Sequence, residues 1–360
     1  MTQTNTHTIP TEPIGSIPRP QNVIDGVRDF EQGRITQETL NDLYQEALID
    51  TIRRFEETGS PVITDGEQTK SSFVGYPLEG LTNLAPGGAT ISFKDGHERQ
   101  LPLLSAGPFR YRNHADSYLT EARRLSNAPV KQAVISASAL SLLYPAGGIA
   151  GYTRDRFLAD LVNEVEADIR RCLDAGAHNV QIDFTEGRLS LKLDPSGGLL
   201  QQFVALNNQV LDRFTARERQ RIGIHTCPGG DHDSTHSADV DYAELLPQLF
   251  ELHAGSFYIQ LASETDRRRV LRVIRDHSKN DQRIFVGVID PLNPRVETVE
   301  EVRDRVLEAA EYIPVERLGT TDDCGFSPFG DDVSTARDTA FAKIRARVEG
   351  TRLALEALRS

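Results

Sequence analysis

One histidine and two cysteines are the residues of this chain best suited to carry chemistry. His225 and Cys227 form a His-x-Cys pair at the end of an apolar run, and Cys324 follows another run in the sequence Asp-Asp-Cys-Gly. Side chains two residues apart on an extended segment point to the same side, so His225 and Cys227 can face one ligand. An imidazole and two thiolates suit zinc, which lowers the pKa of a bound substrate thiol. The set predicts activation of a thiol for alkyl transfer.

Buried cysteines beside a hydrogen-bonded histidine are the alternative interpretation. Cys172, on the apolar face of a predicted helix, is assigned that structural role. Cys227 and Cys324 differ from it because each lies next to a polar loop at a strand end. A redox pair is not favoured, since no Cys-x-x-Cys motif occurs.

Eight short runs are predicted to be the strands that position these residues. Most are rich in Val, Ile, Leu or Phe and end beside a polar residue, Gly or Pro, which is typical of buried parallel strands. They span residues 12–16, 61–64, 131–136, 179–183, 222–225, 256–261, 284–289 and 316–320.

Amphipathic stretches between the runs predict helices. Residues 155–175 carry an apolar face closed by Gly176, Thr298 and Glu301 form a capping box, and a last helix spans about 334–358. This alternation predicts an α/β fold, a (β/α)8 barrel, in which strand C-termini form the active-site face. A doubly wound open sheet is the alternative.

The 360 residues exceed the roughly 250 of a typical barrel. An N-terminal excursion in residues 1–60 and an insertion at about 77–130 account for the surplus. The insertion follows the second strand and contains a hairpin that turns at Asp95-Gly96. No linker interrupts the chain, so residues 1–360 are predicted to form a single domain.

Composition excludes several classes of function. The 40 Lys+Arg against 53 Asp+Glu give a net charge of −13, which argues against nucleic acid and acidic membranes as partners. No apolar run approaches the roughly 18–20 residues of a membrane span, and residues 1–13 do not resemble a signal peptide. Nucleotide-binding and serine-hydrolase motifs are absent. Three cysteines cannot form a closed set of disulfides, so a cytoplasmic protein is expected. The exclusions above leave small molecules as its expected partners. The oligomeric state is not assigned.

These motifs together resemble the barrel half of cobalamin-independent methionine synthase. The wider superfamily includes uroporphyrinogen-decarboxylase-like barrels and epoxyalkane:coenzyme M transferase. The specific match is His225-x-Cys227 with the distant Asp323-Cys324-Gly325. Weaker matches, which extend the resemblance over most of the chain, are Ile14-Gly15-Ser16, Asp65-Gly66-Glu67, Gln181-Ile182-Asp183 and Asn293-Pro294.

The resemblance implies roles for individual residues. It implies a zinc cofactor held by His225, Cys227 and Cys324. It also implies that Ser16 and Glu67 hold the backbone of an amino-acid thiol such as homocysteine, and that Asp183 faces the methyl donor. Glu67 can accept hydrogen bonds from an ammonium group, and Asp183 can carry a proton.

The chain departs from the family pattern mainly on the donor side. The family's acid-Pro pair after the aspartate is absent, and Leu292 stands where the family has a catalytic histidine. No Trp is available to stack a pterin, and Tyr144 is the nearest aromatic residue. Gln260 replaces a zinc-binding glutamate, with Glu264 four residues on as a candidate fourth ligand. The thiol-activating half is therefore intact and the folate half eroded.

Four further polar residues are candidates for the site. His232 and His236, in the loop after the metal pair, can act as acid/base groups in place of the missing histidine; a helix-capping polar loop is the alternative. Arg19 and Lys70 can bind an anionic substrate group, with solvated surface cations as the alternative.

The favoured function is a zinc-dependent thiol methyltransferase, in which a homocysteine-like thiolate attacks a 5-methyltetrahydrofolate-type or other methyl donor. A second hypothesis replaces the methyl donor by an epoxide, as in epoxyalkane:coenzyme M transferase. A third is a non-catalytic zinc- or thiol-binding barrel.

Overall fold

The computed structural model describes residues 8–360, and its centre is a parallel sheet. In chain order the strands of this range are β1 (Leu84–Ala85), β2 (Thr90–Ser92), β3 (Glu98–Gln100), β4 (Leu103–Leu104), β5 (Gln132–Ile135), β6 (Val180–Asp183), β7 (Ile222–Thr226), β8 (Gly230–Asp231), β9 (Ser234–Thr235), β10 (Ser256–Ile259), β11 (Arg283–Ile289) and β12 (Leu318–Asp322). Six of them pair in parallel in the order β5-β6-β7-β10-β11-β12.

Two short extended segments close this sheet into a barrel between β12 and β5. Parallel bridges attach them to their neighbours: Thr11 to Thr320 and Ile63 to Val130. The two segments are also joined to each other, since Thr64 Oγ1 donates to the carbonyl of Gly15 at 2.8 Å. The (β/α)8 barrel is therefore confirmed, and the doubly wound open sheet is wrong.

The strand predictions agree with the structure to within two residues at each end for β5, β6, β7, β10, β11 and β12. The first two predicted strands are shorter than expected, with one bridge each. Prolines explain the difference, because Pro10, Pro13 and Pro61 lack the N–H that would extend a ladder.

Helices alternate with the barrel strands. In chain order they are α1 (Gln21–Glu31), α2 (Gln37–Glu57), α3 (Asp116–Leu125), α4 (Ala137–Ser141), α5 (Arg154–Asp174), α6 (Glu186–Leu193), α7 (Gly198–Leu211), α8 (Ala216–Arg219), α9 (Tyr242–Leu249), α10 (Arg267–His277), α11 (Val299–Ala310) and α12 (Arg337–Arg359). The capping box at Thr298 and Glu301 is present. Within residues 8–360, no helix has the length and apolar character needed to cross a bilayer.

One apolar cluster of buried residues extends from Ile9 to Ala354. The strands β5, β6, β7, β10 and β12 are buried along their whole length, as expected for a parallel sheet covered on both faces. The cluster supports the single-domain organisation, which stays a prediction.

The insertion after the second barrel segment contains the predicted hairpin. β2 and β3 pair antiparallel, and Gly96 at the turn has a φ of 94°. The hairpin is attached to the loop after β7, because the backbone N–H of Lys94 donates to the carbonyl of Thr235 at 3.0 Å. It therefore reaches over the carboxyl end of the barrel.

A buried ion pair fixes α12 against the end of β12. Arg347 Nη1 pairs with Asp322 Oδ2, and Arg347 Nε donates to Thr11 Oγ1 at 3.1 Å. Arg347 is 0% exposed and Asp322 1% exposed. The pair sets the position from which the chain continues into Asp323 and Cys324.

Replacing Arg347 by methionine should therefore lower the free energy of unfolding by about 3–5 kcal/mol, because the buried Asp322 carboxylate loses its partner. Arg352 on the same helix is a matched control, since it pairs with Glu349 and Glu356 at the surface. Arg352→Met should leave the stability nearly unchanged. Urea denaturation followed by circular dichroism measures both variants, and equal losses would contradict the prediction.

Candidate metal centre and active site

His225, Cys227 and Cys324 come together at the carboxyl ends of β7 and β12. One ligand atom from each lies within 4.8 Å of the others, and all three residues are buried. The sulfurs of Cys227 and Cys324 are 3.1 Å apart, and both cysteines are free thiols. Cys172 lies in the buried face of α5, as expected for a core residue.

The surroundings of His225 favour a metal ligand over a hydrogen-bonded core histidine. Both ring nitrogens, Nδ1 and Nε2, are buried and have no hydrogen-bond partner among the described residues. Leaving a buried polar group unpaired costs about 1–3 kcal/mol, and neutral imidazole is a common metal ligand. The three side chains therefore fit a zinc ion that keeps a coordination position for substrate.

Asp323 holds the loop that carries Cys324. Its carboxylate accepts hydrogen bonds from the backbone N–H groups of Leu261, Ala262 and Ser263, at 2.7–2.9 Å. Burial raises the pKa of Asp323 to about 7, although these hydrogen bonds oppose the rise. The result is that Cys324 is tied to the end of β10.

A cavity of about 640 Å³ opens beside the three candidate ligands. Six of the predicted substrate or catalytic residues also line it: Ser16, Arg19, Glu67, Lys70, Asp183 and His236. Its other walls are largely apolar and include Ile91 and Phe93 from the hairpin and Val23 and Val27 from α1. The cavity thus combines charged groups with a large apolar surface.

Glu67, Lys70 and Asp183 form the charged part of the cavity. Lys70 Nζ lies 3.5 Å from Glu67 Oε1, and both side chains are buried. Burial raises the pKa of Glu67 to about 7, with the Lys70 ammonium opposing the rise. Burial also raises the pKa of Asp183, against the effects of His225 and of a 2.8 Å hydrogen bond from Gln181. Two carboxyl groups beside one ammonium complement the charges of an amino acid.

Arg19 and Ser16 form hydrogen bonds with backbone groups of neighbouring loops. Arg19 Nη2 donates to the carbonyls of Glu67 at 2.6 Å and Lys70 at 3.0 Å, and Nη1 donates to that of Ser327. Nη1 and Nη2 of the guanidinium are therefore engaged by backbone, Nε has no partner among the described residues, and the binding of an anionic substrate group by Arg19 stays a prediction. Ser16 Oγ accepts a hydrogen bond from the backbone N–H of Ser327 at 3.2 Å.

The two histidines of the loop after β7 differ in position. His236 lines the cavity, and burial lowers its pKa to about 4, so the ring is neutral at neutral pH. Gly229 permits this packing, since it has a φ of 70° and an added Cβ would lie 1.7 Å from His236 Nε2. His232 lines a separate cavity, and its Nε2 lies 3.2 Å from Arg99 Nη2. Of the two histidines, His236 lines the main cavity and His232 does not.

Glu264 and Tyr144 lie apart from their predicted places. Glu264 Oε1 accepts hydrogen bonds from Arg188 Nη1 at 2.9 Å and Gln260 Nε2 at 3.0 Å, so its carboxylate is already paired with a cation. It is not part of the metal group. Tyr144 stacks on Phe157 and is absent from the cavity wall. The expected fourth ligand and aromatic contact are not supplied by these residues.

Arg99 and Glu186 are two further residues at the cavity that no sequence motif indicated. Arg99 Nε donates to Asp231 Oδ2 at 2.6 Å and its Nη2 to Asp331 Oδ1 at 2.8 Å, which clamps the hairpin over the cavity. Glu186 begins α6 and lines the cavity. No spacing in the sequence connects Arg99 with its partners, whereas the buried acid after β6 was a usable signal.

Methionine synthases are similar to this chain along nearly its whole length. The enzyme from Saccharolobus solfataricus is 23% identical over 351 residues, which cover 98% of this chain and 96% of that protein. The enzyme from Sulfolobus acidocaldarius is 24% identical over 353 residues, with 98% and 94% covered.

The fold is also shared with a solved structure. A B12-independent methionine synthase from Shewanella sp. W3-18-1, in complex with selenomethionine, matches with a TM-score of 0.76 at 18% identity, covering 98% of this chain and 99% of that one. The family model of the catalytic domain of cobalamin-independent synthase matches residues 9–345. The resemblance inferred from the motifs is thus confirmed, and the chain belongs to the cobalamin-independent synthase catalytic-domain family, a family of methyltransferases.

Proposed function

We propose that the protein is a zinc-dependent methyltransferase whose acceptor is a homocysteine-like thiol. The observation that carries the proposal is the buried group of His225, Cys227 and Cys324, in which the imidazole has no other partner. The family supports methyl transfer, and the methionine synthases among the relatives support homocysteine as the acceptor.

The side chains divide the work of binding the acceptor. Zinc, when bound by His225, Cys227 and Cys324, stabilises the thiolate form of a substrate thiol at neutral pH. Glu67 and Asp183 accept hydrogen bonds from the substrate ammonium, and Lys70 attracts its carboxylate. In this proposal Asp183 contacts the thiol substrate, whereas the resemblance implied that it faces the methyl donor. The held thiolate attacks the methyl group as the bond from methyl to donor breaks.

His236 is the remaining acid/base candidate near the ligands. Its neutral ring lines the cavity, and its Nδ1 lies 2.9 Å from Ser237 Oγ. This arrangement supports a role as a hydrogen-bond acceptor or donor to substrate.

An epoxide or other strained alkyl donor is the second candidate for the electrophile. That reaction can use the same metal group. The charged part of the cavity favours homocysteine over coenzyme M, because a thiol sulfonate has no ammonium group for Glu67 and Asp183 to bind. The third candidate, a non-catalytic barrel, receives no support from a family of catalytic domains.

The purified protein should contain about one zinc ion per chain. Cys324→Ser should remove most of this zinc, because a hydroxyl is a much poorer ligand than a thiolate. Cys172→Ala is the matched control and should retain the metal, since Cys172 is buried in α5. Elemental analysis by mass spectrometry measures the content; loss of zinc from the control alone would place the site elsewhere.

Adding homocysteine should place one more sulfur next to the metal. Coenzyme M should do so weakly, because it lacks the ammonium group. X-ray absorption at the zinc edge counts sulfur neighbours with homocysteine, with coenzyme M and without thiol. A sulfur added by coenzyme M alone would favour the epoxide alternative.

Homocysteine binding should strengthen between about pH 6 and pH 8 because Glu67 ionises in this range. Its raised pKa, about 7, means that the carboxyl is mostly neutral at pH 6 and mostly charged at pH 8. The ratio of wild-type to Glu67→Gln affinity should grow about tenfold across this interval. The titration of the thiol and of the metal ligands affects both proteins equally and therefore cancels in the ratio. Isothermal titration calorimetry measures the two affinities. A constant ratio would exclude Glu67 as the ammonium partner.

A further inference from the structure

Glu186 is a buried carboxyl group in the cavity that the proposed thiol site does not use. It is the first residue of α6, three residues after Asp183, and it is 5% exposed. The cavity lining also includes the apolar residues Ile135, Ala139, Leu142 and Leu189. A carboxyl group in such surroundings requires an explanation.

One oxygen of Glu186 is held as an acceptor. Ser136 Oγ donates to Oε1 at 2.5 Å, and Ser138 Oγ also donates to Oε1. Each serine oxygen also accepts a hydrogen bond from elsewhere in the protein, which favours this direction, and Ser138 Oγ lies 3.4 Å from Ser136 Oγ. The backbone N–H of Ala139 donates to Ser136 Oγ at 3.1 Å, and Asn207 Nδ2 donates to Ser138 Oγ at 2.6 Å. Both hydroxyl hydrogens are therefore free to point at Oε1.

The orientation of Asn207 is fixed in turn. Its Oδ1 accepts a hydrogen bond from the backbone N–H of Ala137 at 3.0 Å, and its Nδ2 also donates to the carbonyl of Phe203 at 3.0 Å. The amide is thus not free to turn over. Hydrogen bonds run in one direction from Ala137 through Asn207 and Ser138 to Glu186.

The other oxygen of Glu186 is free. Oε2 is buried and has no hydrogen-bond partner among the described residues. Because Oε1 receives two hydrogen bonds, a proton on this carboxyl group resides on Oε2. Burial raises the pKa of Glu186 to about 7, the serine hydroxyls oppose the rise, and the charge of Asp183 adds to it. Near neutral pH the group can both hold and release a proton.

We propose that Glu186 is a further catalytic residue that protonates the nitrogen atom of the methyl donor. The inference rests on the proposed function. As the S–C bond forms, the C–N bond breaks and its electron pair stays on nitrogen, which takes the proton from Oε2. Glu186 becomes a carboxylate stabilised by Ser136 and Ser138, and it regains a proton from solvent. The donor is therefore an N-methyl amine, because a sulfonium donor leaves as a neutral sulfide and needs no proton.

Glu186→Gln keeps the shape of the side chain and removes its ability to donate a proton. The serine hydroxyls will hold the amide oxygen, so the amide nitrogen replaces Oε2 and no transferable proton remains. With homocysteine and 5-methyltetrahydrofolate, kcat should fall at least about 100-fold. With homocysteine and S-methylmethionine, the variant should stay within about threefold of the wild type. Glu166→Gln, on the outer helix α5, is the control for loss of a carboxylate.

Infrared difference spectroscopy gives a readout that needs no turnover. The wild type should show a carboxylic-acid C=O band that disappears with a midpoint near pH 7 and that Glu186→Gln lacks. Glu67 and Asp323 titrate in the same range in both proteins, so their bands cancel when the spectrum of the variant is subtracted from that of the wild type. Ser138→Ala should move the midpoint to higher pH, since it removes a hydrogen bond that favours the charged form. This second variant keeps the test available if Glu186→Gln does not fold.

Three results would overturn the inference: no such band in the wild type, an equal loss with both donors, or wild-type turnover that excludes 5-methyltetrahydrofolate. Zinc content and homocysteine ligation measured on the same samples separate the two proposals. Their absence in the wild type would contradict the proposed function, whereas their presence with any of the three results contradicts only the role of Glu186.

Discussion

The barrel mouth depends on one physical constraint: an imidazole and two thiols are buried there, and their ligand atoms have few hydrogen-bond partners in the protein. The unpartnered nitrogens of His225 oppose folding by about 1–3 kcal/mol each, which is large against a net stability of about 5–15 kcal/mol. A bound cation offsets that cost by mass action. The surrounding groups accordingly hold the backbone rather than the ligand atoms. Asp323 ties the Cys324 loop to β10, and Arg347 anchors the end of β12 through Asp322.

The two sides of the cavity follow from this arrangement. Near the metal group, Glu67, Lys70 and Asp183 place opposite charges close together, which suits a zwitterion. On the side of α6, Glu186 is buried with one oxygen held by two serine hydroxyls and the other without a partner among the described residues. One side is therefore built for charge recognition and the other for holding one proton.

The elements that repeat could be predicted from the sequence, and those set by distant contacts could not. Parallel strands end at one edge of a barrel, so the convergence of His225, Cys227 and Cys324 followed from locating strand ends. Loop residues gave no such guide. Glu264 is a plausible ligand by spacing, but Arg188, 76 positions away, pairs with it. His232 adopts a φ of 47°, which turns it toward Arg99 and out of the main cavity.

Arg99 connects the hairpin to the loop that follows β7. Asp231, which binds Arg99 and lies 3.0 Å from His97 Nε2, sits on the segment that leads from Cys227 to His236. Asp231 therefore links the hairpin to the segment that carries Cys227 and His236. Since Arg99 is partly exposed, dissolved salt weakens its ion pair with Asp231. Ionic strength thereby acts on the contacts of the hairpin and on the segment after Cys227 together.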